Sequence, residues 1–225
     1  TTYNVPYMFR MQNVDKVRLQ QALINLVNRH EIFRTRFENK EGKIIQIIEE
    51  NVPFKLEEIT CGDALSFIRP FDLSKAPLIR AGYHGDLIII DIHHIIIDGY
   101  SIPIFFHELN ELYMGRNLKG VSVPYYQFAM EKVDYTESEK YWLSVYKDEL
   151  PKLELRTDYD RKEKHSFKGC ALYDSIDMPL HHKIIEKCKT INITPYVFYM
   201  SGFFILLSKF SGSDDIVVGI PISGR

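Results

Sequence analysis

Three cysteines in 225 residues, Cys61, Cys170 and Cys188, are too few and too far apart for a disulfide framework or a zinc knuckle. Each is expected to be a buried or idle thiol. An excess of charge of one sign is also missing, since 28 Lys+Arg stand against 30 Asp+Glu, for a formal net charge of -2 and a pI of about 6.4. That balance supplies no basic field for a phosphate backbone, which argues against nucleic acid as a partner. No apolar run has the length of a membrane span. The nearest, Tyr196 to Phe210, is interrupted by Ser201, Gly202, Ser208 and Lys209, so a buried helix is expected there and no membrane partner. The opening Thr-Thr-Tyr-Asn-Val-Pro-Tyr lacks the features of a secretory signal, and a cytoplasmic location is the default expectation. Internal repeats and low-complexity segments are absent. What is present, 45% hydrophobic and 26% charged residues, is enough for one sizeable core or two modest ones.

Between Asp15 and His30, Leu19, Ala22, Leu23, Leu26 and Val27 follow the i, i+3, i+4, i+7 spacing of a helix with one buried face, and Asp15 is a suitable N-cap. Arg34–Phe37 and Lys43–Glu49, separated by Glu41-Gly42, read as a hairpin. Leu87–Ile92 is an almost unbroken aliphatic run, as expected of a central strand covered on both faces. Ser101 opens a helix, read with Ser101 as N-cap, whose apolar residues are Ile102, Phe105, Phe106, Leu109, Leu112 and Tyr113, and Gly115 is placed to end it. Phe105, Phe106 and Tyr113 fall on one stripe and are expected in the core. Thr136 to Glu139 is a second capping signal, and residues 155–168 read as a polar linker or crossover. Beyond it, Ala171–Asp177 suggests a strand, and Leu180, Ile184, Cys188 and Ile191 lie on one helical stripe. Thr194-Pro195 starts a helix that is apolar nearly all round and so is expected to be buried, and Asp214–Gly219 turns from it into a strand.

The pair His93-His94 lies where the buried strand meets the helix N-terminus. Alternation along a strand turns only one of the two toward a given cleft, so one histidine is expected to be chemical and the other structural. Imidazole accepts a proton near neutral pH, and peptide N–H groups before Ser101 can face a developing oxyanion. Gly99 permits close approach of backbone to substrate. Both histidines could equally be satisfied core residues, which is the commoner fate of a His-His pair; His181-His182, in a polar helix start, illustrates it. A metal at His94 and Asp98 would need further ligands, and no His-Glu-x-x-His or Cys-x-x-Cys pattern exists.

The residues from His93 to Ser101 resemble the His-His-x-x-x-Asp-Gly signature of condensation domains of non-ribosomal peptide synthetases, in the chloramphenicol-acetyltransferase-like superfamily. Four further segments resemble the same family in the same order. They are Arg29-His30-Glu31 through Arg34-Thr35-Arg36-Phe37, Tyr126-Gln127-Phe128-Ala129, Tyr141-Trp142 followed by Leu155–Arg161, and Gly219-Ile220-Pro221 through Gly224-Arg225. Ile97, Tyr100 and Gln127 depart from the residues most frequent at those positions. The resemblance implies an α/β fold, an α+β sandwich with a mixed sheet flanked by helices. Residues 1–165 would form the N-terminal lobe carrying the histidine loop and 166–225 the crossover and start of a truncated second lobe.

By the same resemblance, the activity is amide formation between a donor acyl or peptidyl thioester and an acceptor aminoacyl thioester. Both arrive on 4'-phosphopantetheine arms of donor and acceptor peptidyl carrier proteins, beside a neighbouring adenylation domain, and the domain itself binds no cofactor or metal. His94 is the residue implied in the tunnel, removing a proton from the amine or holding it in line, with His93 structural. Asp98 is an orienting carboxylate whose expected partner is Arg34, the plainer reading of Arg34 being a solvated strand residue paired with Glu31. Gly99 offers a backbone N–H to the oxyanion, or merely permits the turn. An epimerisation domain, a free acetyltransferase using coenzyme A and a non-catalytic recruitment module are the alternatives. An isolated fragment with half a cleft is expected to be inactive.

Overall fold

Asp15 caps the first helix as its sequence predicts, its side chain accepting a hydrogen bond from the Arg18 N–H at 3.0 Å. In the computed structural model, which describes residues 2–60, 64–131, 133–160 and 169–221, this helix, α1 (Lys16–Arg29), buries Leu19, Ala22, Leu23, Leu26 and Val27, the five residues its periodicity selects. Full burial of a side chain such as Leu23 contributes about 2 kcal/mol. The chain divides into two compact units, Thr1–Val133 and Asp134–Arg225. The boundary expected at 165 falls among residues 161–168, outside the described residues, together with much of the expected linker; Cys61 and residues 222–225 also lie outside them.

The first unit is built on a four-stranded sheet in the order β1-β6-β5-β4, comprising β1 (Asn4–Arg10), β4 (Leu56–Glu58), β5 (Ile79–His84) and β6 (Leu87–His93). The β4/β5 pair is parallel and the other two pairs are antiparallel, so the sheet is mixed. β6, the aliphatic run, is an interior strand as expected. β1, β4 and β5 were not legible in the sequence. Pro6 argues against a strand interior, yet β1 is an edge strand, where a missing N–H is tolerated. Ile88, Ile90 and Ile92 pack on one face with α1 and with α2 (Ser101–Tyr113), whose Phe105 and Leu109 are buried. Ile89 enters a smaller cluster with Ile59 and Phe67. By alternation, Asp91 and His93 share the face of Ile89.

The predicted hairpin is present as β2 (Thr35–Lys40) and β3 (Lys43–Ile48). Its two-residue turn has positive φ at both positions, 53° at Glu41 and 82° at Gly42, the arrangement whose twist suits a tight hairpin. α2 runs to Tyr113 and Gly115 follows with φ 75°, as its sequence predicts. Phe105 is buried, and Phe106 and Tyr113 are half-buried against the same core. A short helix, α3 (Tyr125–Met130), completes the unit.

The second unit contains α4 (Thr136–Val145), α5 (Met178–Thr190) and α6 (Pro195–Ser211). α6 starts as predicted, with Thr194 accepting from the Val197 N–H and Pro195 in the first turn, and ends at Gly212 with φ 72°. Four expectations here are corrected. Only Leu207 of α6 is buried, because among the described residues α5 is the element packed against it and one neighbour covers one side of an all-round apolar helix. Described residues of Ala171–Asp177 and Asp214–Gly219 are not strands; a strand exists only with a ladder partner, and neither segment finds one among the described residues. At α4 the capping acceptor is Asp134, which takes both the Thr136 N–H at 2.9 Å and its hydroxyl at 2.6 Å.

Candidate active site

The histidine loop leaves the end of β6 and enters α2 through a short 3-10 turn, His94–Ile96. Ile96 and Ile97 are both 5% exposed and anchor the loop in the core. Its entry is fixed by two main-chain bonds, the His93 N–H to the Leu78 carbonyl at 2.9 Å and the His94 N–H to the Tyr3 carbonyl at 2.8 Å. The two histidines differ in environment. His93 is half-buried, with Tyr3 and Phe71 ring centroids 6.2 and 6.0 Å from its own, and its Nδ1 accepts the Ile95 N–H at 3.1 Å. An accepting Nδ1 carries no proton, so the neutral ring is protonated on Nε2. Burial, followed by the adjacent His94, holds the His93 imidazole below its ordinary pKa, which favours that neutral form. The His94 side chain is exposed.

Asp98 turns the loop into the helix. Its Oδ1 accepts the Ser101 N–H at 2.8 Å and the Ser101 hydroxyl at 2.6 Å, while its carbonyl accepts the Ile102 N–H at 3.1 Å. Ser101, expected to be the cap, is therefore a donor, and Asp98 supplies the capping acceptor because its carbonyl opens the helical bonding one turn earlier. Gly99 and Tyr100 then stand in the first turn, where N–H groups have no carbonyl a turn before them and the helix dipole is positive. The backbone of Gly99 is not in the left-handed region, and a Cβ built there meets nothing within 4 Å. The turn does not require glycine; what glycine leaves is open access to the backbone.

Arg34, expected to pair with Asp98, does not do so. Its Nη1 donates to the main-chain carbonyls of Glu49 and, at 3.4 Å, Glu50. Its Nε is buried without a hydrogen-bond partner among the described residues, as is Oε2 of Glu31, so the plainer pairing with Glu31 is not seen either. The reason is local: Arg34 ends the 3-10 turn Glu31–Arg34 beside the hairpin, within reach of the end of β3. Arg29 and His30, from the same motif, hold a carboxylate that sequence reading missed. Glu108 of α2 receives Arg29 Nε at 3.1 Å and Nη2 at 3.2 Å and lies 2.5 Å from His30 Nε2. Burial alone would raise this carboxyl, but the bonds from His30 and Arg29 bring it below its ordinary value. The clamp joins the end of α1 to α2, the helix that follows Asp98. A glutamate on the buried stripe of α2 was the available signal.

The fold finds counterparts in known proteins. The chain matches the Condensation domain family over residues 1–225. It is 37% identical over 240 residues to surfactin synthase subunit 2 of Bacillus subtilis (strain 168), covering 100% of this chain and 7% of that protein. It is 36% identical over 241 residues to bacitracin synthase 1 of Bacillus licheniformis, covering 99% of this chain and 5% of that one. The chain thus spans a small part of the curated relatives it matches. Among solved structures, the epimerization domain from the third module of tyrocidine synthetase B has a TM-score of 0.78 at 16% identity, covering 94% of this chain and 54% of that one. A four-domain nonribosomal peptide synthetase bound to AMP and glycine has a TM-score of 0.76 at 22% identity, with 94% and 18% covered. At these identities the structural likenesses show the fold, a mixed sheet flanked by helices, and the sequence match over the whole length shows that this chain belongs to the Condensation domain family.

Proposed function

We propose that the chain acts, within a modular non-ribosomal peptide synthetase, in amide formation between a donor acyl or peptidyl thioester and an acceptor aminoacyl thioester. The thioesters are substrates, carried on the 4'-phosphopantetheine arms of donor and acceptor peptidyl carrier proteins, with an adenylation domain as neighbour in the module. The observation that carries this reading is the contrast between an exposed His94 and a half-buried His93 whose Nδ1 accepts the Ile95 N–H, in the same loop as the open backbone of Gly99.

In this reading, the acceptor amine adds to the donor thioester carbonyl, forming the C–N bond. A free α-amine titrates near pH 8, so a substantial fraction is already neutral at working pH and needs holding more than prior deprotonation. His94 holds it in line and takes the proton that the nitrogen must lose as the tetrahedral intermediate forms. First-turn N–H groups at Gly99 and Tyr100 stabilise the oxyanion, helped by the positive end of α2. Collapse breaks the C–S bond, and the departing sulfur receives the proton from His94, leaving an amide and a free thiol. Asp98 acts on this sequence by tying the loop to α2, Arg34 by supporting the segment before β2, and His93 by keeping the His94 turn closed.

The test is single-turnover amide formation between two loaded carrier proteins, followed by intact-protein mass spectrometry, with the synthetase containing this chain and its His94→Ala variant. Product from the parent and a collapse of on the order of 100-fold in an equally folded variant are expected. Exchange of the α-hydrogen of a carrier-bound residue without amide formation would replace the reading with epimerisation, and loss of neither activity in the variant would remove His94 from the chemistry.

A further inference from the structure

β6 carries a charge where its neighbours are aliphatic. Asp91 interrupts Leu87–Ile92 and is 0% exposed. Its Oδ2 accepts a 2.7 Å hydrogen bond from Asn4 Nδ2 of β1 and lies 3.7 Å from Arg80 Nη1 of β5, while Oδ1 is buried with no hydrogen-bond partner among the described residues. Burial works against both charges, pushing the Asp91 carboxyl up and the Arg80 guanidinium down. A buried pair so incompletely satisfied is poor evidence for stability, since aliphatic residues would fill three adjacent strands at no desolvation cost. Its use has to be sought in what it holds.

What it holds is the flank of His93. Arg80 donates to the Arg69 carbonyl at 2.7 Å and the Pro70 carbonyl at 3.3 Å, and Asn4 donates to the same Arg69 carbonyl at 3.0 Å. These bonds fasten residues 69–71 to the sheet. The Arg80 guanidinium then lies 3.7 Å over the Phe71 ring, and Phe71 meets the His93 ring edge to face at 6.0 Å. Asp91 and His93 are two residues apart on one strand and face the same side.

We propose that Asp91, acting with Arg80, is a positioning residue of the reaction, fixing the His93 ring through Phe71 and so the turn that presents His94. This rests on the function proposed above. The coupling is also electrostatic. The Asp91 charge opposes the burial and the His94 charge that keep His93 neutral. A second proton on His93 would occupy Nδ1 and break its bond to the Ile95 N–H, so the Asp91 charge by itself works against closure, and its positioning role is carried by the Arg80 and Phe71 contacts.

The experiment uses the intact synthetase and two variants, Asp91→Asn and the double Asp91→Asn/Arg80→Gln. Single-turnover amide formation is followed against acceptor concentration, and His93 is titrated by the pH dependence of imidazole C2-hydrogen exchange, with tandem fragmentation between His93 and His94. In Asp91→Asn, kcat should fall on the order of 10- to 100-fold with acceptor KM nearly unchanged, and the His93 midpoint should move down as the Asp91 charge is lost. The double variant, which leaves no unpaired buried charge, should regain the parental unfolding midpoint but neither the rate nor the titration. Recovery of the rate together with stability would show a packing role and overturn the proposal, as would an unmoved His93 midpoint. If the parent synthetase forms no amide, the functional reading fails by itself, and the His93 midpoint still decides for or against positioning by Asp91.

Discussion

Asp98 Oδ1 accepts both the main-chain N–H and the hydroxyl of Ser101, at 2.8 and 2.6 Å, so the acid of the histidine loop is also the stop from which α2 departs. Loop geometry and helix start are one structural event. Replacing Asp98 with Ala should cost about 1–2 kcal/mol of stability, the range for a lost N-cap, whereas Ser101→Ala, which spares the main-chain bond, should cost less than about 1 kcal/mol. Denaturant unfolding of the two variants gives the order, and a larger loss in Ser101→Ala would show that the hydroxyl, not the carboxylate, holds the turn.

The two histidines should separate stability from chemistry. His94 is exposed, so His94→Ala should change the unfolding free energy by less than about 0.5 kcal/mol while removing most amide formation. His93→Ala deletes the acceptor of the Ile95 N–H and the ring contacts with Tyr3 and Phe71, and should cost about 1–2 kcal/mol. Thermal unfolding and single-turnover assays on the same preparations check both. Equal destabilisation by the two substitutions would contradict the difference in their burial.

Two glycines make an opposite pair. Gly99→Ala has room for its methyl and needs no left-handed backbone, so stability should stay within about 0.5 kcal/mol of the parent. If substrate approaches that backbone, the rate should still fall on the order of 10-fold. In Gly82→Ala the new Cβ would lie 2.7 Å from Phe67 Cε2 and 3.0 Å from Ile59 Cδ1, costing about 1–3 kcal/mol through strain at the far side of the sheet. Melting temperatures rank the two, and a tolerated Gly82→Ala would mean that the Ile59 and Phe67 cluster yields easily.

Glu108 gives the first unit a dependence on acid. Its carboxyl is held below the ordinary carboxylate range in the folded protein despite burial, by His30 and Arg29. The folded value being depressed, the clamp's contribution is fully present above the unfolded carboxylate pKa of about 4.3 and is lost as pH falls through the folded value. Urea unfolding from pH 6 to pH 3 should therefore show a steeper loss in the parent than in Glu108→Gln. That variant should be destabilised by about 2 kcal/mol at pH 6, where Arg29 loses a charged partner. Parallel pH curves for the two proteins would show that the clamp does not contribute to folding.

Much of this was readable because it is local. The five buried residues of α1, its Asp15 cap, the Glu41-Gly42 turn, the interior strand β6 and the Thr194-Pro195 start of α6 all follow from side chains a few residues apart, and the histidine motif is contiguous. Capping residues were harder to place. At both Asp98 and Asp134 the acid ahead of a Ser or Thr takes the role that the hydroxyl residue was expected to play, because a carboxylate is the stronger acceptor and the hydroxyl can serve it as a donor.

The sequence by itself determined the family, the position of the histidine loop between a buried strand and a helix, and the helical periods that build the core around it, since these depend on short-range spacing and steric preference. Tertiary structure alone decided which groups surround that loop. Arg34 turned to the carbonyls at 49 and 50 instead of Asp98, Arg29 and His30 closed on Glu108 some 79 and 78 residues away, and Asn4 met Asp91 across 87 residues. Such partners are selected by which strands become neighbours and which faces become buried, and a desolvated charge takes the nearest group the finished fold leaves within reach.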